Sequence, residues 1–171
     1  TCLPTYDVFD ENRYFEAASH WEVINFNNKK IAVTICEDIW NIGEHPLYTV
    51  CPMDELIKQS PDLMINLSAS PFDYTHQDDR KAIIKANVLK YGLPVFYCNG
   101  VGSQTEIVFD GHSMVFDKEG SIKGMLSPFK EDSACFILKD DGFIEGNIHV
   151  DNNQISDQLC EPLHLIPNFN I

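Results

Sequence analysis

One cysteine stands where chemistry could happen. Cys36 closes the run Ile31-Ala32-Val33-Thr34-Ile35-Cys36-Glu37-Asp38-Ile39-Trp40, in which a β-branched apolar segment ends abruptly and two carboxylates and a tryptophan follow. A thiol at the end of a buried strand, next to charge, is where a catalytic nucleophile can be presented. Such a thiol needs a proton acceptor, a donor pair for the developing oxyanion and a pocket. The amide of Glu37 is placed to be one donor, because the chain must turn there. The usual partner, histidine, is not singled out: His20, His45, His76, His112, His149 and His164 fall in no shared pattern. No HxxxH or paired-cysteine spacing suggests a metal site. The plainer alternative, a structural cysteine at a strand end, stays open on these residues alone.

The elements that must position Cys36 read as an α/β chain. Trp21–Phe26 alternates as a strand, Asn27-Asn28-Lys29 is a tight turn, and Lys30–Cys36 returns, which predicts a hairpin. Pro52–Gln59 is a short helix with Pro52 in its first turn and Asp54 and Glu55 early. Asp62–Leu67 is a continuous apolar strand of the kind found at the centre of a covered sheet. The loop Ser68-Ala69-Ser70-Pro71-Phe72 follows. Gln77–Tyr91 is the clearest helix, opened by Asp78 and Asp79, with Ala82, Ile83, Ala86 and Leu89 as its apolar face and Gly92 as its stop. Val95–Cys98 is a strand, and residues 99–103 form a glycine-rich stretch without the GxGxxG spacing of a nucleotide cradle. Ile107–Phe109 and Ser113–Phe116 read as two hairpin-like strands, the second closed by the turn Asp117-Lys118-Glu119-Gly120. Ser133–Leu138 is the last strand expected, and the pattern weakens from Asp140 onward. Leu159–Ile171 reads as a linker or docked tail.

Composition narrows the function classes. The 171 residues suffice for one domain with a real core. A formal charge of −14, from 26 acidic and 12 basic residues, argues against nucleic acid or an anionic membrane surface as a partner. No apolar run approaches the ~20 residues of a membrane span, and no signal-peptide pattern opens the chain. Thr1 is not a start residue, so further residues are expected upstream. The six cysteines, at positions 2, 36, 51, 98, 135 and 160, are irregularly spaced. Cys98 and Cys135 lie in apolar runs, as buried free thiols do. The compartment therefore reads as reducing, and the protein as cytoplasmic.

Four segments, in order, change the weight of the cysteine. They are Leu3-Pro4-Thr5-Tyr6-Asp7-Val8-Phe9-Asp10-Glu11-Asn12-Arg13-Tyr14-Phe15, then Cys36-Glu37-Asp38-Ile39-Trp40, then Asn66-Leu67-Ser68-Ala69-Ser70-Pro71-Phe72, and the stretch from Asn99 to Ser113. Together they resemble the nitrilase superfamily, and within it the glutaminase domains of glutamine-dependent NAD synthetases. The resemblance implies an α-β-β-α sandwich, with residues 1–158 as the C-terminal two-thirds of the domain and 159–171 as the start of a linker to a synthetase domain. It implies a Glu-Lys-Cys triad in which Cys36 is the nucleophile, and the base and the oxyanion-stabilising lysine lie upstream of Thr1. It assigns Glu11 an accessory role and places Tyr6, Phe9, Glu37, Trp40, Ser70 and His76 around the substrate, which would be glutamine. ATP and Mg would serve the synthetase domain, this segment itself needing no cofactor, and the whole would be a homo-oligomer. The 171 residues alone are expected to be inactive.

Plainer readings stand beside these. Glu11 fits a turn-capping carboxylate, Ser70 before Pro71 an ordinary turn, and Tyr6, Phe9 and Trp40 core aromatics. His76 and His112 fit solvated surface histidines. The sequence also departs from the family pattern. His76 stands where some relatives carry a stronger base, Gly100 and Ser103 where glutamine and glycine are usual, and Thr105 where aspartate is usual. The last three fall near the surface that hands ammonia onward. A stand-alone amidase of the same superfamily, and a catalytically incomplete assembly module, are the alternatives.

Overall fold

The computed structural model describes residues 2–5, 9–43 and 47–148, apart from the side chains of 76 and 146–148. Tyr6 and the 159–171 segment lie outside the described residues. At the centre is a six-stranded mixed sheet built from β1 (Ile24–Phe26), β2 (Lys29–Ile35), β3 (Leu63–Ser68), β4 (Val95–Asn99), β7 (Met114–Phe116) and β8 (Ile122–Met125), in that order across the sheet. β2, β3 and β4 are parallel, and the outer pairings are antiparallel. A small antiparallel pair, β5 (Val101–Gln104) with β6 (Ile107–Asp110), rises from the end of β4. A second pair joins β9 (Cys135–Leu138) to β10 (Ile144–Ile148).

The parallel strands need crossovers, and the helices supply them. α1 (Pro52–Leu56), extended by a 3-10 turn over Ile57–Gln59 and closed by Ser60 at φ 56°, links β2 to β3. α2 (His76–Tyr91) links β3 to β4 and ends at Gly92, whose φ of 67° needs no strain because it has no Cβ. The core lies between these helices and one face of the sheet. It is made of Ala32, Met64, Val95, Tyr97, Met114 and Phe116 from the strands, with Ile39, Met53, Leu56, Ile84, Val88 and Leu93. The other sheet face is apolar but only partly covered: Ile35 and Leu67, paired in register, are each about half exposed. That is the face on which the expected sandwich places its second sheet.

Several boundaries differ from the sequence reading, each for a local reason. The first strand begins at Ile24 rather than Trp21. The Gln59 side-chain amide donates to the Trp21 carbonyl at 2.8 Å and accepts the Val23 N–H at 3.1 Å, so those groups are unavailable to a ladder. The hairpin turn is as expected, with Asn27 and Asn28 both at positive φ. Ile107–Phe109 and Ser113–Phe116 do not pair with each other. Thr105, at φ 52°, turns β5 back into β6, while Gly111 and His112 at φ 66° and 57° send β7 into the main sheet beside β4. The glycine-rich stretch is therefore partly strand. Among the described residues after Asp140, Ile144–Ile148 is a strand, since β10 pairs with β9.

The apolar face expected for α2 is rotated. Leu89 is exposed and Ala82 faces solvent, whereas Arg80, Ile84, Asn87 and Val88 are buried. Two of those four are polar, so a hydrophobic stripe could not mark the face. Asn87 is accommodated because its amide donates to the Ile39 and Ile83 carbonyls at 2.8 and 2.9 Å. Cys98 is exposed rather than buried, because strand alternation turns it to the partly covered sheet face, and Cys135 is intermediate.

Candidate active site

Cys36 sits at the carboxyl end of β2, where the chain passes from strand into a 3-10 turn over Cys36–Ile39. Its φ is +38°, a left-handed backbone that a residue with a Cβ adopts only when its surroundings hold it there. Asp38 does the holding. Its buried carboxylate accepts the Ile35 N–H at 2.9 Å and the Cys2 N–H at 2.5 Å. It closes the elbow and also ties Cys2, just before the first motif, to the turn at Cys36. Glu37 and Ile39 are buried with it.

The thiol lies against the next strand end. Burial pushes its pKa above the ordinary cysteine value, and the charges of Glu37 and Asp38 push the same way. The nearby Ala69 N–H and Ser68 hydroxyl, which favour the thiolate, oppose this without cancelling it. A thiol so placed is protonated at neutral pH and needs a base to make it a nucleophile.

Ser70 is buried in the loop after β3. Asn99 clamps it: the Ser70 N–H donates to Asn99 Oδ1 at 2.8 Å, and Asn99 Nδ2 donates to the Ser70 carbonyl at 3.3 Å and to that of Gly111 at 2.8 Å. The backbone joins in, with Gly100 N–H donating to the Ser68 carbonyl at 2.9 Å and Phe72 N–H to that of Val108 at 2.7 Å. The 68–72 loop is thus fixed by the segment from Asn99 to Gly111, so the third and fourth sequence motifs meet in space.

Behind the loop, Arg80 of α2 is fully buried and donates from Nη2 to Asp110 Oδ1 at 2.8 Å. His112 lies 4.0 Å from the second Asp110 oxygen and 3.2 Å from Gln77 Nε2. Burial holds the His112 pKa below its usual value, with Asp110 opposing, so the ring is neutral at pH 7 and is not a solvated surface histidine.

The remaining sequence candidates fall as follows. Phe9 is half-buried. Glu11 is half-buried in a short 3-10 turn over Glu11–Arg13, and its N–H donates to the Pro4 carbonyl at 3.2 Å. Beside burial, the groups that most shape the Cys36 thiol are Ala69, Ser68, Glu37 and Asp38. Trp40 packs against the core cluster, and its N–H donates to the Glu37 carbonyl at 3.0 Å. His76 is the first residue of α2. Sequence reasoning passed over Asn66, Tyr97, Asn99, Arg80 and Asp110. A signal was present for the first three: polar atoms recur at matching registers in apolar strands, Thr34 beside Asn66 beside Tyr97, and Ser68 beside Asn99.

Comparison with known proteins finds relatives along most of the chain. The model of the carbon-nitrogen hydrolase family matches residues 3–138. A glutamine-dependent NAD(+) synthetase of Synechocystis is 42% identical over 135 residues, covering 77% of this chain and 24% of that protein. One from Thermotoga maritima is 40% identical over 131 residues, covering 76% and 22%. Among solved structures, a glutamine-dependent NAD+ synthetase from Acinetobacter baumannii, in complex with ADP, superposes with a TM-score of 0.68 at 33% identity, over 77% of this chain and 23% of that one. A carbon-nitrogen hydrolase from Helicobacter pylori shares the fold with a TM-score of 0.65 at 22% identity, over 76% and 47%. The chain spans about a quarter of the length of the synthetases it matches. Its fold is the nitrilase-type α/β fold, and the chain belongs to the carbon-nitrogen hydrolase family, where it is similar to one part of glutamine-dependent NAD synthetases.

Proposed function

We propose that Cys36 is the nucleophile of a glutaminase that supplies ammonia for amidation of deamido-NAD. The observation that carries this reading is the thiol itself: a cysteine held at +38° at a strand end, with the Ala69 N–H and Ser68 hydroxyl against its sulfur. The sulfur attacks the side-chain amide carbon of glutamine, forming a tetrahedral oxyanion. The carbon–nitrogen bond breaks, ammonia leaves with a proton, and water hydrolyses the glutamyl thioester to glutamate. The base and lysine are assigned to sequence preceding Thr1, so the 171 residues alone turn over no glutamine. Glu37, Ser70, Phe9, Tyr6, Trp40 and His76 are the proposed substrate contacts, and Glu11 an accessory carboxylate. The synthetase reaction, with ATP and Mg, is assigned to a domain outside this chain, within a cytoplasmic homo-oligomer. An amidase of other specificity is the second reading, supported by the shared fold of a carbon-nitrogen hydrolase.

A glutamine analogue bearing a diazoketone in place of the side-chain amide separates the two. In the encoded full-length protein it alkylates Cys36, seen as a mass increase on the Cys36 peptide, and excess glutamine protects. Protection by simple aliphatic amides but not by glutamine would establish the amidase reading instead.

A further inference from the structure

Strands β2, β3 and β4 bring a buried polar row to the nucleophile. Thr34, Asn66 and Tyr97 share one register, and Ser68 and Asn99 the next. Ile35 pairs with Leu67, so the residues that follow, Cys36 and Ser68, are neighbours across the strands. Thr34 and Asn66 are fully buried, and Tyr97 nearly so.

The bonds in this row have a definite direction. The Thr34 hydroxyl donates its one proton to the Ile65 carbonyl at 3.2 Å, so its oxygen accepts from Asn66 Nδ2 at 3.0 Å. The Asn66 amide is thereby oriented with Oδ1 toward Ser68, whose hydroxyl donates to it at 2.6 Å. With its only proton committed to Asn66, the Ser68 oxygen offers lone pairs to the Cys36 thiol. Ionisation of that thiol reverses the balance. A hydrogen bond to a charged acceptor is roughly twice as strong as one to a neutral amide oxygen, so the Ser68 proton turns from Asn66 to the sulfur.

We propose that Ser68 is a hydroxyl switch for the nucleophile, accepting from the Cys36 thiol at rest and donating to the thiolate when it forms, with Asn66 as the positioning residue that holds the resting orientation. The O–H bond of Ser68 stays intact throughout, and the proton lost by Cys36 goes to the general base. The inference rests on the proposed nucleophilic role only for what the thiolate then does. Other charged or titratable groups face the sulfur: Glu37 and Asp38 from its own turn, and Tyr97 from β4 with Arg80 behind it from α2. They are left unaltered by the variants below.

The test is iodoacetamide alkylation of the encoded full-length protein across ~pH 6 to 10, spanning ordinary and raised thiol titration, with the Cys36 peptide read by mass spectrometry and free N-acetylcysteine in the same reaction as internal control. Ser68→Ala raises the midpoint for Cys36 by about one pH unit and slows its alkylation near neutrality about tenfold, as expected for loss of one hydrogen bond to a charged group. Ser68→Thr, which keeps the hydroxyl, restores the wild-type midpoint. Asn66→Leu, which removes the competing acceptor, moves the midpoint the other way. Opposite signs for Ser68→Ala and Asn66→Leu are what a merely structural role does not produce. An unmoved midpoint in Ser68→Ala, or shifts of the same sign in both variants, overturns the switch. Glutamine hydrolysis measured alongside keeps the two ideas apart: variants that show these shifts from a wild type that itself hydrolyses no glutamine support the switch and overturn the glutaminase.

Discussion

Cys36→Ala in the encoded full-length protein lowers glutamine hydrolysis by about 10⁴-fold or more while leaving amidation driven by added ammonium intact. The magnitude follows from removing the atom to which the substrate becomes covalently attached; for nucleophiles of this type the loss is roughly 10⁴–10⁶. The fold should survive the substitution. Cys36 is only part-buried, its turn is held by Asp38 through the Ile35 and Cys2 amides, and none of those bonds involves the sulfur. Measurement needs two assays on one preparation, glutamate release from glutamine and amide formation with ammonium as the nitrogen source. Loss of both activities would mean that the hydrolytic and synthetic steps are not separable as proposed. Retention of glutamine hydrolysis would remove Cys36 from the mechanism altogether.

Asp110→Ala is expected to cost about 3–5 kcal/mol of stability, the usual penalty for stripping one partner from a buried ion pair. Arg80 is completely buried, and Asp110 nearly so, with 2.8 Å between Nη2 and Oδ1. Among the described residues no other hydrogen bond reaches the guanidinium, whose Nε and Nη1 are also buried. Without the carboxylate a full positive charge stays in the core between α2 and the β6–β7 junction. Damage should reach the site as well, since Asp110 precedes Gly111, whose carbonyl receives the Asn99 amide that clamps Ser70. Urea denaturation gives the size of the loss, and the double variant Arg80→Met with Asp110→Leu recovers most of it by removing both charges together. A loss below about 1 kcal/mol for Asp110→Ala would show that water solvates the guanidinium in solution.

Much of this site was legible in the sequence because its carriers are local. The strand end at Cys36, the carboxylates after it and the serine-proline loop are each contiguous, and strand and helix periodicities placed β2, β3, α2 and β4 within a residue or two. What could not be read was long-range and polar. Nothing near Gln59 announces that its amide will occupy Trp21 and Val23, 38 and 36 residues away, and shorten the first strand. Arg80 and Asn87 look like surface residues on a helix wheel, and only partners 30 and 48 residues away explain their burial. The partners of β6 and β7 were not legible because Thr105, Gly111 and His112 adopt left-handed φ, a choice that side-chain pattern does not encode for threonine or histidine. The role of Asp38 was equally hidden, since its second bond is to Cys2, 36 positions earlier.

The left-handed backbone at Cys36 has a consequence for how such a chain would drift. Glycine or asparagine is what that conformation prefers, so a lineage released from its chemistry could exchange the cysteine with little harm to folding. With Cys36 as the proposed nucleophile, decay of the activity would begin there and leave the architecture standing. A thiol at +38°, where the backbone favours glycine or asparagine, is what the nucleophilic role proposed above would explain and a scaffold role would not require.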